Sequence, residues 1–124
     1  MWPYDSDGFD PPAAVLEAVL VFSKKLRASI RMQIDSGADL TCIPSHLVPT
    51  SRPIRFGITY VSGYDGAITK RKTVFVSILF GEHRFENIEV LPIESRTGLL
   101  GRDLLNALEV TLDGPARSLL IDGQ

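Results

Sequence analysis

The chain has 124 residues, of which 44% are hydrophobic and 23% are charged, a length and composition that predict one globular domain and exclude a disordered or low-complexity chain. The 13 Lys and Arg residues against 15 Asp and Glu residues give a formal net charge of -2, so we expect no nucleic-acid partner. The single cysteine, Cys42, cannot form a disulfide within the chain, and with His46 and His83 it has no zinc-binding spacing. We therefore expect no structural metal, and nothing in the sequence implies a cofactor.

Residues 1–12 are predicted to form a flexible N-terminal tail, because three prolines, three aspartates and a glycine disfavour both helix and strand. The alternative is that the aromatic side chains of this segment, Trp2, Tyr4 and Phe9, pack onto the domain or onto a partner. Residues 13–124 form the expected domain.

The longest apolar stretch runs from Ala13 to Phe22, which is about half the length needed to cross a bilayer, and it contains Glu17. The chain start lacks the basic region of a signal peptide, so we expect no membrane segment and a cytoplasmic location. The secondary structure of this stretch stays open, because Pro12 and the alanines suit the start of a helix whereas Val19–Phe22 suits a strand.

The clearest periodicity lies in residues 26–34, where apolar and polar side chains alternate up to Asp35. This pattern predicts a strand with one buried face. A similar alternation over residues 73–80, followed by a turn and a β-rich run over residues 85–91, predicts a hairpin.

Residues 60–68 place two glycines and an aspartate between β-forming residues, which predicts an exposed, mobile hairpin tip. Only residues 102–108 have convincing helical spacing. Residues 110–112 and 118–121 are predicted strands on either side of a Gly114-Pro115 turn. The chain is therefore predicted to be mostly β, with one short helix.

Two short motifs carry the functional information. Asp35-Ser36-Gly37-Ala38-Asp39 follows the predicted strand directly, so a carboxylate lies at the strand end beside a small hydroxyl residue and a glycine. Asp-Ser-Gly alone is usually just a turn. In this context the segment resembles the active-site motif of the retropepsin-like aspartic proteases, the half-size relatives of pepsin. Likewise, Gly98-Leu99-Leu100-Gly101-Arg102-Asp103-Leu104-Leu105 resembles the element that precedes that family's single helix.

The resemblance covers roughly residues 15 to 121 in order. It implies an all-β, retropepsin-like acid-protease fold, in which a closed, barrel-like sheet carries a flap hairpin and one short C-terminal helix. It also implies a homodimer, because this hydrolysis needs two carboxylates that share a proton and the chain has one Asp-Ser-Gly motif. The two Asp35 side chains would meet on the two-fold axis and titrate as a coupled pair.

Further roles follow from the resemblance. Ser36 would hydrogen-bond across the Asp pair, and Gly37 would present its carbonyl group to the substrate backbone. Ala38 and Asp39 would contact the substrate, and Asp39 would also form a buried ion pair with Arg102. The alternative for Arg102 is an exposed cation without a partner.

The tip residues Ser62, Gly63 and Tyr64 resemble part of the flap that closes over the substrate, binds its carbonyl groups and excludes water. The resemblance makes Leu99 a wall of a substrate pocket. Cys42 falls where the family lines a specificity pocket, but a small buried hydrophobic residue is the preferred interpretation.

These observations predict an aspartic endopeptidase that hydrolyses peptide bonds through an Asp35 pair formed across a homodimer, with general acid-base activation of water. Its expected partners are a second copy of the chain and a polypeptide substrate. The alternative is a non-catalytic dimerisation or peptide-binding module with the same fold. Residues 118–121 are expected to interleave with the partner's terminal strands; the alternative is pairing within their own chain.

Overall fold

The computed structural model describes residues 1–50, 54–63 and 65–124. These ranges contain ten strands, one short helix and a 3₁₀ turn at Ser45–Leu47. In chain order the elements are β1 (Trp2–Pro3), β2 (Val15–Ser23), β3 (Leu26–Ile34), β4 (Cys42–Pro44), β5 (Phe56–Ser62), β6 (Ile68–Phe80), β7 (His83–Ile93), β8 (Gly98–Leu100), α1 (Arg102–Leu105), β9 (Val110–Asp113) and β10 (Ser118–Ile121). No helix in the described ranges is long and apolar enough to cross a membrane.

Six strands close into a barrel in the order β2-β3-β8-β4-β7-β6, because β6 also pairs with β2. The barrel interior is apolar, and its completely buried side chains include Leu16, Leu20, Ile43, Ile78 and Leu100. Each such side chain contributes about 1.5–3 kcal/mol relative to full exposure. The predicted all-β barrel with one short helix is confirmed.

The strand before Asp35 has its predicted bounds, with Ile30 and Met32 buried and the neighbouring Arg31 exposed. This alternation was readable because one face of the strand packs on the core. The ambiguous apolar stretch is strand β2, because it lies between β3 and β6 and pairs with both. Pairing on both edges requires an extended backbone, so tertiary contacts decide between helix and strand here.

The helix is shorter than predicted, since α1 spans Arg102–Leu105 and does not continue to Leu108. After α1 the backbone forms tighter turns. The Ala107 N–H donates to the Leu104 carbonyl, and the Leu108 N–H donates to the Leu105 carbonyl. Such bonds between residues three apart are typical of a helix end. Leu108 still packs against the core, which explains why its spacing looked helical.

Residues 2–5 lie against the domain, which corrects the prediction of a tail for this part of residues 1–12. β1 pairs with β10, and the Trp2 ring packs edge-on against Phe80 with centroids 6.5 Å apart. Asp5 is buried, bridges to Ala13 and forms an ion pair with Arg31 at 2.7 Å. The tail was predicted because these residues disfavour helix and strand locally. The contacts that hold the segment are made with residues far away in the sequence.

The C-terminal strand has neighbours on both sides within its own chain, in the sheet order β1-β10-β9. Ser118 and Leu119 therefore have paired strands on both sides within the chain, which is the alternative arrangement. The N-terminal strand covers this part of an edge that would otherwise be open. Interleaving with a partner's termini stays a prediction for the dimer.

Candidate active site

Asp35 lies where β3 leaves the barrel, and backbone hydrogen bonds hold it there. Its N–H donates to the Leu100 carbonyl of the parallel strand β8 at 3.0 Å, and the Ala38 N–H donates to the Asp35 carbonyl at 3.2 Å. The Gly37 N–H donates to the Asp35 carboxylate at Oδ1, at 3.0 Å. The half-buried carboxylate therefore has a defined orientation at the rim of the barrel.

Arg102, the first residue of α1, clamps the loop that follows Asp35. Its Nη1 donates to the Ser36 carbonyl at 2.7 Å, its Nη2 donates to Asp39 Oδ1, and its backbone N–H donates to the Ala38 carbonyl at 2.9 Å. The guanidinium thus bonds to both ends of the loop. Its donor geometry suits this double contact better than a single ammonium would.

The ion pair between Arg102 and Asp39 is exposed, which corrects the expectation of a buried pair. The Asp39 side chain is 84% exposed and that of Arg102 is 45% exposed. The pair lies on the open rim of the single chain, where water screens it.

Thr41 and Asp103 form a polar cluster beneath the loop that sequence reasoning did not assign. Thr41 is completely buried. The Asp103 carboxylate accepts hydrogen bonds from the N–H and from the hydroxyl group of Thr41. The signal available in the sequence was a threonine in a run of otherwise apolar residues and an acid in the second motif. Their pairing spans 62 residues, so neither local pattern could reveal it.

A cleft of about 470 Å³ separates the Asp35 loop from the β5–β6 hairpin. One wall is the loop itself and the other is the hairpin strand with two residues of β7, so the lining comprises Gly37, Ala38, Asp39, Leu40, Cys42, Thr59, Tyr60, Val61, Ser62, Glu89 and Leu91. The predicted substrate-binding residues Ala38, Asp39 and Ser62 therefore meet at one cleft. Glu89 is a cleft residue that the sequence did not point to.

Leu99 does not line this cleft in the single chain. It is half-buried on β8, between Gln33 and Cys42, on the sheet face opposite to the buried Leu100. Its role as a pocket wall stays a prediction for the dimer.

The hairpin tip is a tight turn beyond Ser62. The Gly63 N–H donates to the Ala67 carbonyl at 2.9 Å, and the Ala67 N–H donates to Asp65 Oδ1 at 3.0 Å. Gly66 has a φ of +79°, a backbone conformation that favours glycine. Tyr64, a predicted substrate contact, lies outside the described residues.

Cys42 is both buried and part of the cleft floor. Burial, followed by the nearby charges of Asp103 and Asp35, raises the pKa of the thiol to about 11. The thiol is therefore protonated at neutral pH and is not a nucleophile. This agrees with the preferred interpretation as a small hydrophobic residue.

The two histidines lie away from the Asp35 loop. His46 lines a separate groove of about 640 Å³ that contains none of the loop residues, and His83 lies 3.2 Å from Asp122 near the C-terminus. Within the described residues no cluster of His, Cys, Asp and Glu side chains could hold a metal ion. The groups that surround Asp35 are the backbone of its loop, the Asp39 carboxylate and the Arg102 guanidinium.

A closed barrel, a hairpin facing a strand-terminal Asp-Ser-Gly loop and an arginine that clamps this loop define a retropepsin-like chain of the aspartic protease class. Comparison with protein-family models matches residues 18–113 to the retroviral aspartyl protease family. The match covers most of the chain and both motifs, so the chain belongs to this family. A search of curated proteins found none that matches the chain.

Proposed function

We propose that this chain is one half of an aspartic endopeptidase that hydrolyses peptide bonds as a homodimer. The observation that carries the proposal is the position of Asp35, which lies on a clamped loop beside a cleft of about 470 Å³. The cleft is open to solvent and has room for a polypeptide segment. Membership of the retroviral aspartyl protease family supports the same chemistry.

In this reaction the Asp35 carboxylates of two copies lie side by side and share one proton, since two adjacent carboxylates resist simultaneous ionisation. One of them takes a proton from a bound water, which attacks the carbonyl carbon of the peptide bond. The other donates a proton to the carbonyl oxygen, and the intermediate collapses when the leaving amine is protonated. The Gly37 N–H keeps the Asp35 carboxylate oriented for these transfers.

The exposure of the loop supports a dimer. Ser36 and Gly37 are exposed, and so is the ion pair of Asp39 with Arg102. A two-fold axis next to Asp35 would cover this surface with an identical loop and bring the second carboxylate into the site. The chain has one Asp-Ser-Gly sequence, so a single copy supplies half of the required pair.

The β5–β6 hairpin is proposed to act as the flap. It forms the wall of the cleft opposite the loop, through Thr59, Val61 and their neighbours. Closure of this wall over a bound peptide would exclude bulk water and strengthen the electrostatic interactions at the reacting bond.

The test is cleavage of a peptide library by the purified chain, with product analysis by mass spectrometry and a pepstatin-type inhibitor as a control. Asp35→Asn keeps the size of the side chain but removes the shared-proton pair, so cleavage should fall to background while the variant stays folded. Asp7→Asn changes an exposed aspartate in the N-terminal segment, outside the Asp35 loop, so this variant is the matched control and should cleave normally. Wild-type rates in Asp35→Asn would contradict the mechanism. A folded, dimeric wild type that cleaves no peptide would favour the non-catalytic module.

A further inference from the structure

The cleft wall opposite the Asp35 loop contains a carboxylate without an assigned role, Glu89 of β7. Its side chain is half-buried and lines the cleft together with Val61, Leu91 and Cys42. Thr73, which is completely buried, donates its hydroxyl hydrogen to Glu89 Oε2 at 2.6 Å. The wall therefore holds the carboxylate in one position.

Strand β5, which is separated from β7 by β6, leaves room for this carboxylate. A β-carbon at Gly57 would lie 2.6 Å from Glu89 Oε2 and 2.7 Å from Thr73 Oγ1, which is too close for either atom. Gly57 pairs with Thr73 across β5 and β6, so three adjacent strands together accommodate the Glu89 side chain. A glutamate on an ordinary solvated face needs no such arrangement.

Glu89 also has no cationic partner in the described part of the chain, where no Lys, Arg or His nitrogen lies within 4.0 Å of its carboxylate. The other acid of the cleft, Asp39, is paired with Arg102. Arg71, on the strand next to β7, donates to the Pro92 carbonyl at 3.0 Å and does not line the cleft. The wall therefore presents a carboxylate without a direct ion pair above an apolar floor, although the charge of Arg71 is near enough to oppose the rise in the pKa of the Cys42 thiol.

We propose that Glu89 selects polypeptide substrates with a lysine or arginine side chain at the position that enters this cleft, an inference that rests on the proposed function. The methylene stem of such a side chain would cover Val61, Leu91 and Cys42, and its cationic head would reach the Glu89 carboxylate. The Thr73 hydroxyl donates to Oε2 of Glu89. Oε1 of Glu89 accepts no hydrogen bond from the described residues, so it can accept one from the substrate cation.

The experiment starts from a peptide that the enzyme cleaves. It is resynthesised with Lys, Arg, norleucine or Glu at each position around the scissile bond, and kcat/KM is measured for each peptide. We expect Lys and Arg to exceed norleucine by about tenfold at one position, as one charge-assisted hydrogen bond would produce. Glu89→Gln keeps the acceptor for Thr73 but removes the charge, so it should abolish this preference. Glu89→Lys should transfer the preference to the Glu peptide.

The matched control is Glu86→Gln on the same strand, because Glu86 is exposed and already paired with Arg84 at 2.7 Å. This variant should keep the wild-type preference. If wild type and Glu89→Gln cleave the peptide set with the same preference, the inference is wrong although the proposed function stands.

A binding measurement separates the inference from the chemistry. Fluorescence anisotropy of labelled peptides is measured with Asp35→Asn and with the double variant that also carries Glu89→Gln. Tighter binding of the Lys peptide to Asp35→Asn, lost in the double variant, supports selection by Glu89 even if the wild type cleaves nothing. Equal binding of all the peptides by both proteins, or binding of none, overturns it.

Discussion

Thr41 and Asp103 are joined by two hydrogen bonds, one from the Thr41 hydroxyl to Oδ1 at 2.7 Å and one from the Thr41 N–H to Oδ2 at 3.0 Å. The same hydroxyl accepts a bond from the Gly101 N–H at 3.1 Å. Thr41 follows the Asp35 loop, and Gly101 follows Leu100, whose carbonyl receives the Asp35 N–H. The pair thus ties together the two chain segments that position Asp35.

Replacement of Thr41 by valine should lower the free energy of unfolding by about 1–3 kcal/mol. Valine keeps the shape of the side chain, but the buried Gly101 N–H loses its acceptor. Asp103 Oδ1 loses the hydroxyl donor and keeps only the Leu104 N–H. Chemical denaturation measures the effect. Thr41→Ser retains the hydroxyl group and should be clearly less destabilised, so equal losses in the two variants would contradict this account.

Gly101→Ala should be destabilising because the new β-carbon would lie 2.7 Å from the carbonyl carbon of Leu40 and 2.9 Å from the backbone nitrogen of Thr41. Backbone atoms cannot move aside as a flexible side chain can, so the loop itself must shift. We expect a loss of about 1–3 kcal/mol in unfolding free energy, together with a lower kcat/KM. Gly114→Ala has no atom within 4 Å of the new carbon and should resemble the wild type. Wild-type stability of Gly101→Ala would show that the loop tolerates the shift.

The sequence predicted those strands in which apolar and polar residues alternate because one face is buried and the other is exposed. The strand before Asp35 was readable because Ile30 and Met32 face the core while Arg31 faces solvent. The position of Arg102 beside Asp39 was implied by family resemblance, and the structure brings these residues together.

Other features depend on pairing between distant segments, which local propensity does not encode. Trp2 lies among residues that favour a turn, yet β1 is held by β10 at the far end of the chain. Glu89 lies in the predicted β-rich run of residues 85–91, and no pattern in the sequence assigned it a role. Its position in the cleft became apparent only from its hydrogen bond with Thr73 and from the absence of a β-carbon at Gly57.

Arg102→Ala should reduce catalysis more than stability. In the single chain the ion pair with Asp39 is exposed and contributes only about 0.2–1 kcal/mol, so the unfolding midpoint should change little at a protein concentration that keeps the chain monomeric. The Ser36 carbonyl loses its guanidinium donor, and the loop loses its connection to α1, so kcat/KM should fall at least tenfold.

Arg84→Ala, which breaks another exposed ion pair, is the matched control and should leave both quantities unchanged. A large loss of stability in Arg102→Ala without loss of activity would contradict the assigned role of this arginine.

The thiol of Cys42 should be unreactive in the folded protein at pH 8. Its pKa is raised to about 11, chiefly by burial, so the reactive thiolate forms only in strongly alkaline solution. Labelling with iodoacetamide, followed by mass spectrometry, should be slow at pH 8 and fast once the chain is unfolded in denaturant. Rapid labelling of the folded protein at pH 8 would mean that the residue is accessible and ionised.

Acid should release the N-terminal segment from the domain. The pKa of Asp5 lies below its ordinary value of 3.8, first because its carboxylate accepts the Gly8 N–H and further because of the Asp7 N–H and Arg31, although burial opposes these effects. Since the pKa is lower in the folded state, the stabilisation is complete above pH 3.8 and is lost as the pH falls through the folded pKa. Trp2, the single tryptophan, reports on the release through its fluorescence.

The emission maximum of Trp2 should therefore shift to longer wavelength as the pH falls below about 4, because the ring leaves Phe80 for water. Far-ultraviolet circular dichroism, recorded in parallel, separates this release from unfolding of the barrel. Asp5→Asn removes the titrating group and the ion pair with Arg31, so its emission should not change in this pH range while the barrel remains folded. If the asparagine variant shows the same acid transition as the wild type, a group other than Asp5 controls the attachment of the segment.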